Sequence, residues 1–524
     1  MSKVAWLKDA VFYEIYPQTF YDTNGDGIGD IKGIIEKLDY IKELGANAIW
    51  LNPCFDSPFK DAGYDVRDYK KVASRYGTNE DLYRLFEEVH KRKMHLILDL
   101  VPGHTSEEHS WFVESAKDYW NTYSSRYIWT RHAFEGIGGH PYISGESERP
   151  GAYMLNFFKC QPALNYGFYR PSEPWQQSMK EEGPQKTKEA MVDVMDFWLS
   201  HGCDGFRVDM ADSLVKEDGP EKEGTRQVWK DMFSVIQKKY PDAAFVSEWC
   251  NAPLSMDAGF HMDFYLDHGN NGYQSLLRDY LEHSEDDSYF KADSTHDTTR
   301  FLSEYMEWYQ KTKGKSYISM FSCNHDTPRA KRTLGDREIS LFFGFLLTMP
   351  GVPFIYYGDE IGMRFLEVKS KEGGYQRTGT RTPMQWNSGK NLGFSEAPMN
   401  ALYLPVDPSV DAPTVESAKA DQDSLYHIVK DLLALRHKEK AFQADAPMVM
   451  HTLKGKEQAL VYERGNFLCI VNPSNTSLEI SLPDEAYATA KLIYKIGDGL
   501  VEVLSKEKKI ISARPQSFVV LKKD

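Results

Sequence analysis

The residues of this sequence best suited to chemistry are ionisable side chains at the ends of four short, strand-like segments. They are Asp99, His104, Arg207, Asp209, Glu248, His325 and Asp326. A single acid in such a place could simply be a buried partner of an arginine, as Asp209 could be for Arg207 on the same strand face. Three acids in one cavity are costly unless their mutual repulsion and altered pKa values are used. Paired carboxylates suit glycoside hydrolysis, in which one acid attacks the sugar and another protonates the leaving oxygen.

These side chains can act together only if the strands that carry them end at one place. Segments rich in β-branched and aromatic residues begin near residues 10, 46, 95, 205, 244, 260, 317 and 352. Helical periodicity is found at 33–45, 79–94, 185–202, 225–240, 273–284, 298–314, 337–351 and 424–442. Alternating β/α units of this kind predict an α/β protein with a closed (β/α)8 TIM barrel, whose strand ends share one mouth.

Two departures from this alternation predict additional modules. Between the third strand and its helix lie roughly 80 residues rich in aromatic residues, glycine and proline, far more than an ordinary connection needs. We interpret 105–175 as an inserted small domain, and 1–104 with 176–445 as the barrel. After residue 445 the pattern changes to short alternating strands separated by turn residues, so 446–524 is predicted to be an antiparallel β-sandwich.

A compact polar segment, DTNGDGIGD at 22–30, resembles the opening of a calcium-binding loop. An EF-hand is excluded because its twelfth position, which needs glutamate, is Gly33. The remaining oxygen ligands for a hard cation would be Asp22, Asn24, Asp26, Asp30 and the carbonyl of Ile28. A solvated Asn/Asp/Gly turn explains the same residues, and their spacing leaves both interpretations open.

The overall composition excludes several classes of partner. The formal charge is -15 and no run of Lys and Arg could follow a phosphate backbone, so neither nucleic acid nor an anionic membrane is expected. Six cysteines without a CxxC pair argue against zinc and against a disulfide framework. No segment has the pattern of a signal peptide or of a bilayer span. We expect a cytoplasmic protein, and the sequence leaves its oligomeric state open.

Four segments resemble the ordered signature regions of the α-amylase superfamily, glycoside hydrolase family 13. They are DLVPGH at 99, GFRVDMAD at 205, FVSEW at 245 and FSCNHDTPR at 321. AGYDVRDY at 62, QPALN at 161 and RTPMQW at 381 add resemblance to the oligo-1,6-glucosidase, α-glucosidase and trehalose synthase branch. The resemblance covers essentially the whole chain and implies the same barrel.

The resemblance also implies roles for individual residues. Asp209 would be the nucleophile, Glu248 the general acid/base, and Asp326 the third acid that holds sugar hydroxyls. The residues matched to glucose binding in subsite -1 are His104, Arg207 and His325, with Tyr64 as the stacking platform. Asp65 and Arg381 would close the far end of that subsite, although a purely structural ion pair is the alternative. Asp99 would support the site, and the loop at 22–30 would hold a structural calcium or magnesium.

This sequence departs from the family pattern at three positions. Gly103 replaces the asparagine that in amylases ligates a different calcium, so the resemblance does not extend to that ion. Ala163 replaces the acid of the related QPDLN motif, and Met210 follows the nucleophile where relatives often have Val, Ala or Thr. Because the residue after the nucleophile tracks linkage preference in the family, the preferred linkage is left open.

The favoured interpretation is a retaining, exo-acting α-glucosidase that releases glucose from the non-reducing end of short oligosaccharides or disaccharides. The first alternative is a transglycosylating relative, such as a trehalose synthase, a sucrose-active isomerase or a glucanotransferase. An alternative of another class is a non-catalytic sugar-binding or transporter-associated homologue. Such homologues lose catalytic carboxylates, whereas this sequence has all three.

Overall fold

Eight short parallel strands form the centre of the molecule. The computed structural model describes residues 4–135, 138–281, 285–452, 459–498, 501–505 and 510–523. The strands are β1 (Phe12–Ile15), β2 (Ala48–Leu51), β3 (His95–Leu100), β4 (Gly205–Val208), β5 (Ala244–Ser247), β6 (Met262–Phe264), β7 (Tyr317–Ser319) and β8 (Phe354–Tyr356). Most of their residues are buried, as expected for a parallel sheet covered by helices. All eight predicted strands are confirmed.

The sheet closes into a barrel between its first and last neighbours. The strands are paired in the order β7, β6, β5, β4, β3, β2, β1, β8. Beyond the end of β7, the backbone of Phe354 donates to the carbonyl of Met320 at 3.0 Å and accepts from the amide of Ser322 at 2.9 Å. These two hydrogen bonds join β7 to β8, so the predicted TIM barrel is confirmed.

Helices surround the barrel and follow most of its strands. They are α1 (Ile31–Leu44), α2 (Asn79–Lys91), α3 (Ser110–Ser115), α4 (Glu182–Ser200), α5 (Glu223–Lys239), α6 (Ala252–Ala258), α7 (Gln274–Leu277), α8 (Thr299–Thr312), α9 (Asp336–Thr348), α10 (Val415–Ala420) and α11 (Leu425–Lys438). The first begins at Asp30, whose carboxylate caps the amide of Gly33, and ends at Gly45 with φ of 110°. None of the described helices is long and apolar enough to cross a membrane.

The helix predicted at 273–284 is wrong in its extent. Within the described residues it consists of α7 and a short turn at Asp279–Leu281. The backbone leaves the helical region at Arg278, with φ of -144°. The guanidinium of Arg278 is fully buried in an ion pair with Asp267, and this tertiary contact overrides the local periodicity. The helical periodicity of the sequence also did not predict α6, which has only seven residues.

The two additional modules are an inserted segment that reaches the barrel mouth and a C-terminal pair of β-sheets. The inserted segment contains α3 and a hairpin of Tyr142–Ser144 with Ala152–Met154, and it reaches the mouth through a bridge between His104 and Ala163. The C-terminal strands form two antiparallel sheets, one with Phe467–Asn472 at its centre and one with Ile510–Ala513. Leu468 and Ile511, from different sheets, share one apolar core, as in a β-sandwich.

Candidate active site

One buried arginine connects the acids at the barrel mouth. Arg207, on β4, has a side chain that is 1% exposed. Its Nη1 lies 2.9 Å from Oδ1 of Asp99, at the end of β3, and 2.9 Å from Oδ1 of Asp209, just after β4. Its Nη2 lies 2.6 Å from Oε1 of Glu248, just after β5. The ends of three adjacent strands therefore bring together residues that are far apart in the sequence, as predicted for a barrel.

Asp209 is a buried carboxylate with one free oxygen. Burial, and then the negative charge of Glu248, raise the pKa of Asp209, while Arg207 opposes the rise. Oδ1 accepts from Arg207, and Oδ2 makes no hydrogen bond with the described residues. Arg207 favours the ionised form, and Oδ2 is then available for a ligand in the mouth.

Hydrogen bonds hold both the side chain of Glu248 and the residues on either side of it. The amide of Met210, the residue after Asp209, donates to Oε2 of Glu248 at 3.0 Å. Asp263, on the neighbouring strand β6, accepts from the hydroxyl of Ser247 at 2.6 Å and from the amide of Asn251 at 2.8 Å. The first contact holds the Glu248 side chain next to Asp209, and the other two hold the chain segment that carries Glu248.

Asp326 lies against two arginines and a histidine. Its Oδ1 lies 2.8 Å from Nη1 of Arg377 and 2.8 Å from Nη2 of Arg381, and its Oδ2 lies 3.3 Å from Nε2 of His325. Burial alone would raise the pKa of Asp326, but the surrounding positive charges outweigh it and hold that pKa well below its usual range. Asp326 is therefore ionised near neutral pH.

Tyr64 and His325 form one wall of the mouth. Their rings stack at 5.2 Å between centroids and 12° between planes. The Tyr64 hydroxyl lies 3.0 Å from Oδ2 of Asp99 and 2.6 Å from Nε2 of His325. Burial raises the pKa of Asp99 to about 6, and its other partners are Arg207 and the indole of Trp50. Asp99 therefore has no polar atom left for substrate and supports its neighbours.

His104 lies beside Tyr64 with both ring nitrogens engaged. Nε2 lies 3.1 Å from the carbonyl of Tyr64, and Nδ1 lies 3.1 Å from Nδ2 of Asn156 in the inserted segment. Burial lowers the pKa of His104 to about 4, so the ring is neutral. Gly103 allows this contact, since a Cβ there would lie 2.7 Å from Nδ2 of Asn156. The asparagine amide thus occupies the space that a side chain at position 103 would need.

Asp65 does not face Arg381, so the structural ion pair that was the alternative for these two residues is wrong, whereas their predicted binding of glucose hydroxyls stays a prediction. The Asp65 carboxylate is fully buried and accepts from the hydroxyl of Ser57 at 3.0 Å and from the amides of Lys60 at 2.9 Å and Asp61 at 3.0 Å. It therefore holds the shape of its own loop. Arg381 instead donates to Asp326 and to the carbonyl of His325.

Asp61, four residues earlier, is the acid that faces the arginines. Its Oδ1 lies 3.9 Å from Nη2 of Arg377, and its Oδ2 accepts from Nε2 of Gln161 at 2.7 Å. Burial raises the pKa of Asp61 to about 6, and the charges of Arg377 and Arg381 limit the rise. Asp61 and Arg377 were not predicted from the sequence, although each lies four residues before a residue that was predicted, Asp65 and Arg381 respectively.

The loop at 22–30 satisfies its carboxylates with its own backbone. Asp22 accepts from the amides of Gly25 and Gly27, each at 2.8 Å, and from the hydroxyl of Ser395. Asp30 caps α1 and also accepts from Thr23. No group of three or more His, Cys, Asp or Glu in the described ranges is arranged to hold a metal. Carboxylate oxygens offer about four acceptor positions, so these hydrogen bonds leave positions at which a cation could bind.

Comparison with known proteins places this arrangement in a family. The description "Alpha amylase, catalytic domain" matches residues 14–445. The oligo-1,6-glucosidase of Parageobacillus thermoglucosidasius is 32% identical, covering 82% of this chain and 83% of the relative. The trehalose synthase/amylase TreS of Mycolicibacterium smegmatis is 33% identical, covering 83% of this chain and 77% of the relative.

Solved structures agree with the sequence relatives. The trehalulose synthase MutB from Pseudomonas mesoacidophila MX-45 is similar over 99% of both chains, with a TM-score of 0.81 and 25% identity. A MutB mutant in complex with the substrate sucrose has the same score and identity. With its barrel, its strand-end acids and these relatives, the chain belongs to the α-amylase family, glycoside hydrolase family 13, and is a glycoside hydrolase.

Proposed function

We propose that this protein is a retaining α-glucosidase that removes single glucose units from the non-reducing end of short α-glucosides. The observation that carries the proposal is the buried guanidinium of Arg207, which holds Asp209 and Glu248 through separate nitrogens. An attacking carboxylate and a proton donor on adjacent strands are what a two-step displacement requires. The oligo-1,6-glucosidase relatives support the same reaction.

The chemistry follows from the protonation of these two acids. In the first step the Asp209 carboxylate attacks the anomeric carbon while the protonated Glu248 gives its proton to the leaving oxygen. In the second step the Glu248 carboxylate removes a proton from a water, which attacks the same carbon and releases glucose. Each step inverts the anomeric carbon, so the product keeps the α configuration. Arg207 stabilises the ionised Asp209 before the attack.

Recognition of the terminal glucose is assigned to the charged residues beyond Asp326. Asp61, Arg377 and Arg381 surround that acid and would hydrogen-bond the hydroxyls farthest from the scissile bond. Charged groups in a buried pocket discriminate strongly, because a ligand that lacks the expected hydroxyls leaves them unpaired. Tyr64 would stack against the sugar ring.

Replacement of the nucleophile tests the reaction directly. We expect Asp209→Asn to lower kcat by several orders of magnitude, about 10⁴-fold or more, as for nucleophile knockouts in other hydrolases. Proton NMR of the wild-type reaction on p-nitrophenyl α-glucoside, whose leaving group is not a sugar, should show α-glucose as the first product. If β-glucose appeared first, the two-step assignment would be lost.

A transglycosylating activity is the second candidate, because relatives named trehalose synthase and trehalulose synthase are similar to this chain over most of its length. Such enzymes share the nucleophile and the acid and differ in whether water or a sugar reaches the intermediate. Product analysis on maltose, isomaltose, trehalose and sucrose separates the two candidates. Free glucose as the main product supports hydrolysis, whereas isomeric disaccharides support transfer.

We further propose a structural calcium or magnesium in the loop at 22–30, and a cytoplasmic location. Asp22, Asn24, Asp26, Asp30 and the carbonyl of Ile28 would hold the ion, which would stabilise the loop after β1 and take no part in the chemistry. All six cysteines are free thiols, which suits a reducing compartment. Analysis of the purified protein for bound metal tests the first proposal.

A further inference from the structure

A buried glutamate on β1 contacts the back of the His325 ring. Glu14 is fully buried, and its Oε1 lies 2.9 Å from Nδ1 of His325. Nδ2 of Asn52, after β2, lies 3.1 Å from the same Oε1 and 3.1 Å from Nδ1 of His325. Glu14 therefore joins the loops after β2 and β7 beneath the mouth of the barrel.

The partners of the Tyr64 hydroxyl show whether Nε2 of His325, on the side of the ring that faces the mouth, carries a proton. An ionised Asp99 can only accept, so the Tyr64 hydroxyl, 3.0 Å away, donates to it. The Tyr64 oxygen must then accept from Nε2 of His325, 2.6 Å away. Oδ2 of Asp326, 3.3 Å from Nε2, is another acceptor on the same side. Nε2 of His325 therefore carries a proton.

The state of Nδ1 follows from that assignment. Burial lowers the pKa of His325 well below its usual range, so the ring is neutral and Nδ1 is an acceptor once Nε2 holds the proton. Burial likewise raises the pKa of Glu14 well above its usual range. A protonated Glu14 supplies the nearer donor to Nδ1, at 2.9 Å against 3.1 Å for the Asn52 amide, and both pKa directions agree with this geometry.

We propose that Glu14 is a positioning residue for the glycosidase reaction: its carboxylic acid donates from Oε1 to Nδ1 of His325 and keeps Nε2–H directed at Tyr64 and Asp326. Glu14 itself touches none of the predicted reacting groups. It acts through His325, whose Nε2–H is held between Tyr64 and Asp326 on the side of the ring that faces the mouth. This inference rests on the proposed α-glucosidase function.

Three substitutions of Glu14 test the hydrogen bond. Glu14→Gln keeps a donor at the same reach, because its amide can donate to Nδ1 while Asn52 rotates its own amide to accept. Glu14→Asp keeps the acid but withdraws it by one methylene, and Glu14→Leu removes every polar atom. With p-nitrophenyl α-glucoside as substrate, we expect the kcat/KM of the Gln variant to stay within roughly threefold of the wild-type value. We expect the kcat/KM of the Asp and Leu variants to fall about 100-fold, because small misplacements of a catalytic group cost that much.

Glu360 provides a matched control. It is also fully buried, in the turn after β8, where it accepts from the hydroxyls of Tyr13, on β1, at 2.8 Å and of Tyr40, on α1, at 2.6 Å. Glu360→Gln and Glu360→Leu should change the melting temperature and leave kcat/KM close to wild type. A loss of activity that merely follows stability would appear in both series and would overturn the proposal.

A second measurement does not depend on activity. Infrared difference spectra of wild type against Glu14→Gln should show the loss of one carbonyl stretch of a protonated carboxylic acid. Absence of that band, or a Gln variant as slow as the Leu variant, contradicts the inference. So do Asp and Leu variants as fast as wild type. A wild-type protein that cleaves no α-glucoside would instead reject the proposed function, and the infrared result would still decide the state of Glu14.

Discussion

At the scale of single residues, two aspartates of one short motif have different tasks. Asp65 accepts three hydrogen bonds from its own loop, whereas Asp61 faces Arg377 beside Asp326. We expect Asp61→Asn to lower kcat/KM on disaccharides by about 10-fold to 1,000-fold, as for a lost charged contact in a dry pocket, with little change in melting temperature. Asp65→Asn should mainly lower the melting temperature. Steady-state kinetics and thermal melts of both variants check this, and the reverse pattern would restore Asp65 to the pocket.

His109 is a residue-scale source of acid sensitivity outside the catalytic mouth. It is buried, its Nδ1 caps α3 by accepting from the amide of Trp111, and burial lowers its pKa to about 3. Because the unfolded chain binds this proton near pH 6.5 and the folded chain does not, the contribution of His109 is complete above pH 6.5. It is lost as the pH falls toward 3. By pH 4 the loss is about 3 kcal/mol.

The replacement His109→Asn isolates that contribution, because asparagine keeps a capping oxygen and does not titrate. We expect the free energy of unfolding of the variant to fall less between pH 7 and pH 4 than that of the wild type. Urea unfolding of both proteins at the two pH values measures the difference. Parallel losses in the two proteins would assign the acid sensitivity to other groups.

At the scale of elements, the loop at 22–30 connects β1 to α1 and packs against a distant segment. The amide of Tyr403 donates to the carbonyl of Gly27 at 2.8 Å, and a Cβ on Gly27 would lie 2.2 Å from the carbonyl oxygen of Ala401. Gly27 has φ of 90°, so glycine is required there for its conformation and for this close approach.

Removal of the proposed ion should therefore loosen an element that is remote from the chemistry. A cation bound only by the folded state, at 100 times its dissociation constant, adds about 2.7 kcal/mol. We expect chelation to lower the melting temperature while kcat, measured well below that temperature, stays nearly the same. Melting curves of metal-free and calcium-loaded protein provide the test. Superimposable curves would leave the loop as a turn held by hydrogen bonds alone.

At the scale of the whole molecule, the inserted segment and the loop that carries Arg377 meet over the mouth of the barrel. Gln161, from the insertion, binds Asp61, and the Phe158 and Tyr375 rings lie 6.0 Å apart. Together with the arginines, these contacts are expected to close one end of subsite -1. A pocket closed at one end accepts the terminal sugar of a chain and excludes internal ones.

We therefore expect maltotriose to give glucose and maltose in equal early amounts, and we expect poor activity on polymeric starch. A maltooligosaccharide blocked at its non-reducing end should be resistant, because the blocking group has no place beyond Asp61 and Arg381. The unblocked oligosaccharide of the same length is the control, and chromatography of both reactions provides the measurement. Rapid cleavage of the blocked substrate would indicate an open, endo-acting cleft.

The sequence by itself determined the barrel and the strand ends that carry its acids. Eight apolar segments of strand length alternate with segments of helical periodicity. This alternation predicts a closed barrel, in which the carboxyl ends of the strands lie at one mouth. The positions of Asp209, Glu248 and Asp326 at those ends followed, because local pattern and topology agree there. The structure places them at one mouth, with Arg207 between the first two.

Only the tertiary structure decided which nearby side chains enter the pocket. Asp61 and Asp65 lie in one loop, and the direction of each was set by backbone amides and by Gln161, contacts that no periodicity encodes. The same holds for Glu14, a lone ionisable residue in an apolar strand, and for Arg278, whose buried ion pair ends a helix that the pattern continued. Periodicity reports which face of an element is apolar, whereas the partner of a buried charge depends on chain segments that only folding brings together.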